Sequence, residues 1–542
     1  MRRRDILKMA GTGMAAAAVP LSAAAIAVAP GQIKDFEPLL QAPVSRDNTG
    51  FNIRTFGAKG DGVSIDSPAI QSAIDAAAAA GGGTVVFPAG TYLSYSIRLK
   101  SNVGLDLEHG AVLLAASTPV SDLETGGYDA AEPQGDWEPY QDFGHNHWHN
   151  SLIWGEDLDS ISITGPGLIW GKGLLRDWEK GPYQADESLR GAGNKAIALK
   201  NCRNVLLRDF RVLEGGWFAL LATGVDNLTI DNLLIDTNRD GMDIDCCRNV
   251  RVSNCTVNSP WDDAICPKSS YALGYARPTE NLTIVNCYVT GGFELGSVLD
   301  GTWKRHADPK FVPTGRIKLG TESNGGFKNV TISNCVFESC QGFAIESEDG
   351  AIVEDITFSS ITMRDIRSAP LFLRLGTRMR GPDGAKPGEM RRILLSNITS
   401  SGASMLPSIL SGVPGHFIED LKISDVYLQQ VGGGSDEMAA LQPPENEKEY
   451  PDPNMFGDLP ACGFFMRHVR NLEMNNVEIA TIDTDARASF WLRDVDGADF
   501  FRLRVPQNSA PAFDMDQVKD FRISGSRQLA DLNIDVVEKR KI

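Results

Sequence analysis

The 542-residue chain has no Cys-x-x-Cys pair, only seven histidines, and nine cysteines, an odd number. Neither a zinc cluster nor a complete disulfide framework is therefore indicated. Positive charge is also short: 52 Lys plus Arg against 70 Asp plus Glu leave a formal net charge of -18. Phosphate backbones are held by clustered cations, so a surface this acidic argues against a nucleic-acid partner. Any anionic ligand must instead meet a local positive pocket. Helical periodicity is nearly absent, which argues against a leucine-rich or helical repeat. Beyond residue 29 no apolar run is long enough to span a bilayer. With 42% hydrophobic residues the chain can still build a large core.

Met1 to Lys8 read MRRRDILK and precede a weakly apolar Ala/Gly-rich run to Ala29, with small-residue cleavage options such as Ala27-Val28-Ala29. A charged start, an apolar middle and small residues at the end make an export leader, and this one looks like the twin-arginine type. The expectation is a leader over residues 1–29, the twin-arginine machinery as a partner, and a periplasmic or secreted product free of the membrane once the leader is removed. A retained anchor is the alternative, although alanine and glycine give it little insertion energy.

A recurring unit organises most of the remainder. Asn204-Val205-Leu206-Leu207, Asn227-Leu228-Thr229-Ile230, Asn249-Val250-Arg251-Val252, Asn281-Leu282-Thr283-Ile284 and Asn329-Val330-Thr331-Ile332 share the form Asn, apolar, any, apolar. Weaker copies continue to Asp520-Phe521-Arg522-Ile523. Short β-branched strands at a period of about 22 to 26 residues indicate a β-solenoid. The expected fold is all-β, a right-handed parallel β-helix with an N-terminal capping helix, in a single monomeric domain over 30–542 with its core about 51–530. Stacked turn asparagines (Asn232, Asn254, Asn286 and Asn334) are expected to form an amide ladder, with Cys255, Cys287 and Cys335 beside them turned inward. Asp66-Ser67-Pro68, the alanine-rich stretch that follows and Gly81-Gly82-Gly83 read as N-cap, first turn and stop of the capping helix.

Chemistry concentrates between Asn238 and Lys318. Asp240, within Asn238-Arg239-Asp240-Gly241-Met242-Asp243, stands 23 residues before Asp263 of the pair Asp262-Asp263, which is one coil. Asp240, Asp262 and Asp263 should therefore crowd onto one face, where repulsion raises at least one pKa and leaves a proton for general acid work. Gly315-Arg316-Ile317-Lys318 puts two cations on one strand face. They suit a sugar carboxylate, or a salt bridge to those same aspartates, or both in turn.

The order NxDG, DD and RIK resembles glycoside hydrolase family 28, the polygalacturonases and their relatives. FGAKGDG (Phe56 to Gly62), VVFPAGTYL (Val85 to Leu93) and MFGDLPACGFFMRHV (Met455 to Val469) are similar to strings of pectin-degrading β-helix proteins. The resemblance implies an inverting hydrolase of α-linked uronosyl chains in pectin. Asp262 would be the general acid, Asp240 and Asp263 would orient and deprotonate water, and Arg316 and Lys318 would hold the substrate carboxylate. Asn238 and Asp243 of the first motif join the expected substrate-binding set. No cofactor and no metal is expected. A pectate-type lyase and a non-catalytic glycan-binding β-helix are the alternatives.

One departure stands out. The family usually carries Gly-His-Gly between DD and RIK, whereas here Val289 to Ser297 contains no histidine. Glu294 is a candidate to take its place, or a solvated turn carboxylate. His145-Asn146-His147-Trp148-His149 places alternating imidazoles on one face, which suits a metal. With no carboxylate or cysteine pattern nearby, a groove-lining loop is preferred, in which His147 and Trp148 meet the sugar. Trp217, Tyr271 and Trp303 either serve similarly or are packed. Insertions from Tyr271 to Glu280 and from Trp303 to Thr314 would block the groove and favour cleavage from chain ends.

Overall fold

A computed structural model describes residues 50–117, 127–133, 135–174, 193–308, 310–507 and 510–542. The expected leader and its alternative as an anchor lie outside these residues. Gly50–Ile542 forms one compact unit, and no helix among the described residues is long and apolar enough to cross a membrane.

The repeat folds as a right-handed parallel β-helix. Alternation within each unit fixes which side chains enter the core: in Arg203–Arg208, Val205 and Leu207 point inward and are buried. Each strand then lies in register on its counterpart one coil earlier, Val205 opposite Leu228 and Leu228 opposite Val250. Most strands join one 29-stranded sheet. A second, six-stranded sheet runs through Ile97–Arg98, Ile153–Glu156, Ile197–Lys200, Leu220–Thr223, Met242–Asp245 and Ile265–Lys268. The bridge from Ile265 to Ile317 carries this face on to Lys318–Leu319, Phe343–Ser347 and Leu371–Leu375.

Each of the five clearest units turns at an asparagine in the left-handed conformation, with φ of 56° at Asn204, 55° at Asn227, 56° at Asn249, 57° at Asn281 and 54° at Asn329. Asparagine tolerates this region because its short amide bonds locally. The continuous amide ladder runs along this set: Asn227, Asn249, Asn281 and Asn329 each donate to the preceding rung at 3.0, 3.3, 3.1 and 2.8 Å. This corrects the expected ladder. There Asn286 donates to Asn254 at 3.4 Å, but Asn254 and Asn232 bond to Asp231 and Asp209 instead. An aspartate in the rung below is the better acceptor because it is charged. The three cysteines beside them are buried and unpaired, as packing groups should be.

The capping helix spans Ser67–Ala79 and buries Ile70, Ala73, Ile74 and Ala77, one face at helical spacing. Asp66 sits at its N-cap position without capping it. Its carboxylate instead accepts the backbone N–H groups of Lys59 at 2.7 Å and Gly60 at 2.9 Å, tying down the FGAKGDG turn. At the far end Leu532–Lys541 turns back antiparallel onto Phe513–Ser524, covering the last parallel edge with a charged strand.

Candidate functional site

Met242–Asp245 lies on Ile265–Lys268 in strict register, so the turns that precede them also stack. The Gly241 N–H donates to the Asp263 carbonyl at 2.9 Å. Only glycine fits there, since a Cβ would fall 2.4 Å from the Ala264 carbonyl oxygen. This close approach brings one oxygen from each of Asp240, Asp262 and Asp263 within 4.8 Å of the others.

Their environments differ. Asp240 is 3% exposed. Burial first, then the charges of Asp243 and Asp262, push it well above the usual carboxylate range, with Lys268 opposing. Asp263 is buried as deeply, yet Lys318 and Arg316 outweigh that burial and hold it down at about 2. Two adjacent carboxyls pushed in opposite directions divide the labour of an acid/base site: one retains a proton while the other stays ionised.

Arg316 and Lys318 flank Asp263. Arg316 Nε donates to Asp263 Oδ1 at 3.0 Å and its Nη2 to Glu346 Oε1 at 3.2 Å. Lys318 Nζ lies 2.5 Å from Asp263 Oδ2 and 4.0 Å from Glu346 Oε2. Ile317 between them is in the core, as alternation requires. Gly315 sets the chain up for this, with φ of +47° and a Cβ position 2.2 Å from the Thr290 carbonyl carbon. Burial pushes Glu346 up to about 7, with the two cations opposing. Lys268 Nζ sits deeper, 3.3 Å from Glu322, 3.7 Å from Asp240 and 3.9 Å from Asp243.

The remaining expected site residues fall in different places. Asn238 is buried in the turn and accepts from the Thr237 hydroxyl at 3.2 Å. Asp243 is buried beside Asp240 and meets His145 Nε2 at 3.1 Å. Glu294 is not part of the cluster: it pairs with Lys304 on its own loop at 2.5 Å and is the solvated carboxylate of the alternative reading. A histidine at position 291 would crowd its neighbours, because a Cβ on Gly291 would lie 2.8 Å from Pro313 and 3.0 Å from the Ser259 carbonyl oxygen.

The three alternating histidines do not converge. His145 reaches Asp243, His147 faces Glu138 at 3.9 Å, and His149 lies 2.8 Å from Glu156. His147 is 2% exposed, and burial together with Lys195 pushes its pKa down to about 4. Trp148 corrects the stacking expectation. Its indole is 3% exposed, donates to Thr223 Oγ1 at 3.1 Å and packs against Phe218 and Leu221, so no sugar reaches its face. Trp217 is packed under Arg239, whereas Trp303 is exposed on its loop against Tyr288 and Phe293.

Several residues of the site escape sequence reasoning. Arg239 Nε donates to Asp262 Oδ2 at 3.1 Å and its Nη2 to Asp142 Oδ2 at 2.7 Å. Lys268, Glu322 and Glu346 complete the charge network. Coil register signals Glu346, which lies two residues beyond Ala344, the partner of Lys318. Nothing local signals Asp142 or His145, which arrive from nearly 100 residues upstream of their partners. Around the site stand the Trp261, His306 and Phe311 rings, Tyr271 against Tyr140, and the loop before Ala461. That loop is pinned by Arg374 and Arg467, which donate to the carbonyls of Pro443, Pro444, Glu445 and Asn446. It places Tyr450 near Lys318 and Asp452 near Arg316.

Comparison with known proteins agrees with this architecture. The family model "Right handed beta helix region" matches residues 195–368, and "Rhamnogalacturonase A/epimerase, pectate lyase-like" matches residues 50–107. A probable polygalacturonase of Vitis vinifera is 26% identical over 329 residues, 58% of this chain and 60% of that protein. Plasmin and fibronectin-binding protein A of Streptococcus pneumoniae is 39% identical over 260 residues, 45% of this chain and 31% of that protein. The family 28 exopolygalacturonase of Yersinia enterocolitica superposes with a TM-score of 0.61 at 20% identity, covering 82% of this chain and 78% of that one. The matched part thus spans less than two thirds of either curated relative's length, and the chain is polygalacturonase-like in sequence and in fold.

Proposed function

We propose that this polygalacturonase-like β-helix is a glycoside hydrolase that cleaves α-linked galacturonosyl bonds in pectic polysaccharides or oligosaccharides, with inversion and from chain ends. The observation that carries the reading is the convergence of Asp240, Asp262 and Asp263 within 4.8 Å, beside two buried cations. In this mechanism the three-carboxylate cluster holds one proton between its members, and Asp262 delivers it to the glycosidic oxygen as the bond to the anomeric carbon breaks. Asp263, ionised, takes a proton from the attacking water, which Asp240 orients. Arg316 and Lys318 receive the sugar carboxylate. Protonation of Glu346 leaves these cations with surplus positive charge against Asp263 alone, which is what an anionic sugar requires.

Inversion rests on the resemblance rather than on spacing, since the three oxygens are closer than the ~6.5 to 9.5 Å between carboxyls that usually admits the water. End-directed cleavage is supported by the aromatic and arginine-pinned loops around the site. Exported localisation through the twin-arginine route is part of the same proposal and rests on the first 29 residues alone. A second reading, a β-helix that binds without cleaving, is favoured by the 39% identity to the pneumococcal binding protein.

The test is a reducing-sugar assay over a panel of pectic polymers and oligomers, with the first product's anomer followed by NMR. Inverted product released one or two units at a time is expected. Mid-sized fragments at early times would overturn end action, and a retained anomer would overturn inversion. Unsaturated products lost on chelation identify a lyase, and tight oligosaccharide binding without new reducing ends identifies a binding protein.

A further inference from the structure

The residues 142–146 make one short turn that touches the carboxylate cluster at two points. Phe143–Asn146 is a single 3-10 turn, and Asp142 caps it by accepting the Gly144 N–H at 2.9 Å through Oδ1. The second oxygen of Asp142 holds Arg239, whose Nε in turn holds Asp262. Three residues later His145 Nε2 meets Asp243 Oδ2, with the ring 1% exposed and laid against Phe218 at 4.8 Å. The turn fits closely: a Cβ on Gly144 would fall 2.1 Å from the Trp217 ring, which itself lies under Arg239.

We infer that this turn is the positioning element of the carboxylate cluster: Asp142 fixes the direction of Asp262 through Arg239, and His145 fixes Asp243 beside Asp240. The inference rests on the hydrolase reading above.

The chemistry follows from the contacts. An ionised Asp243 offers only acceptors, so the His145 proton that faces it is on Nε2, and Nδ1 is buried without a hydrogen bond. The groups facing this imidazole are Asp243, Asp142, Asp245 and Glu322. Lys268 approaches Asp243 from the coil beyond, and Arg239 and Lys195 stand behind the turn. Donation from His145 and the approach of Lys268 hold the Asp243 carboxylate in place inside a buried site. That anion, after burial itself, is the strongest influence raising the Asp240 pKa. Removing the imidazole frees the Asp243 carboxylate to turn away, so Asp240 loses a repelling neighbour and releases its own proton at lower pH. Asp142 acts differently. It carries negative charge to the far side of Arg239 and stops the guanidinium from closing fully on Asp262.

The experiment uses the full chain with His145→Ala, His145→Gln and Asp142→Asn, measuring kcat and KM across pH on a galacturonate oligomer. His145→Ala and Asp142→Asn are expected to lower kcat by roughly 10- to 100-fold with KM within about twofold, as misplacement of reacting groups does. In His145→Ala the basic limb of the pH profile should also move to lower pH, and His145→Gln, which keeps a donor at the same reach, should restore both. A kcat loss with an unmoved limb, or one that glutamine does not recover, would overturn the inference, as would unchanged kcat in His145→Ala. A readout independent of turnover separates this from failure of the hydrolase reading. Carboxyl carbon NMR of aspartate-labelled protein at pH 6, with the Asp240 signal identified by its absence in Asp240→Asn, should show a protonated Asp240 in the parent chain and lose that protonated signal in His145→Ala. Its persistence in that variant overturns the inference even if the parent cleaves nothing.

Discussion

Asp262 is the residue on which the proposed reaction depends most. Asp262→Asn keeps the acceptor to Arg239 but holds no transferable proton, so kcat should fall by at least about 100-fold while oligosaccharide affinity is retained. Unchanged turnover in that variant would remove Asp262 as the acid. At this scale the sequence is half legible. Asp240 and Asp263 could be placed side by side because a coil is a ruler, and the 23-residue step is read directly from the chain. Arg316 and Lys318 were legible as a pair on one face, with a salt bridge to the aspartates as one reading, though not that Glu346 engages them as well. Asp142, and the pairing of His145 with Asp243, were illegible because a turn outside the repeat has no register to count from. Trp148 misleads for a related reason: a tryptophan near a groove and one beneath it read alike until packing is known.

The turn ladder gives the strands their common start. Asn281 accepts from Asn329, donates to Asn249 and holds φ of 57°, so both its backbone and its amide are in use. Asn281→Ala should destabilise the protein by about 1–2 kcal/mol, because an alanine in the left-handed region carries its Cβ against the following carbonyl. Asn281→Gly should cost less, since glycine adopts that conformation freely. Equal losses by calorimetry would show that the amide bonds, not the backbone, dominate. Elements were legible wherever the Asn, apolar, any, apolar pattern recurs. The short strands of the cluster face were not, as Met242–Asp245 and Ile265–Lys268 are only four residues long and buried on both sides, too short for their alternation to stand out. Asp66 shows the limit of local rules: its sequence position suits a helix cap, but two N–H groups of a neighbouring turn compete successfully for its carboxylate.

Across the molecule, buried charge along one face sets the response to pH. Glu348 is buried with neither carboxyl oxygen hydrogen-bonded, and burial pushes its pKa from 4.5 up to about 8 despite Arg374 and Arg378. Between those two values the folded protein holds a proton that the unfolded chain has released, so this group's contribution to stability falls as pH rises from 4.5 to 8. Glu348→Gln removes that loss. Its melting temperature should exceed the parent's by about 1–3 °C at pH 8, with the difference vanishing at pH 4.5. A constant offset at both would trace the effect to packing instead. The solenoid also replaces the several compact domains that a 542-residue length would ordinarily suggest, because coils extend one core rather than starting another.

The nine thiols bring time into the account. All are buried in the finished coils and none is bridged, so the native state shields them from oxidants. During folding they are accessible, and Cys255, Cys287 and Cys335, on successive rungs, have sulfurs near enough to interact once aligned. Whichever comes first, coil closure or oxidation, decides the outcome. Denatured protein refolded with a reductant should recover its native β signal and native size. Protein refolded under oxidant should accumulate cross-linked species on non-reducing gels, whereas native protein given the same oxidant should form none. Equal recovery in both refolding arms would show that the coils close faster than thiols can react.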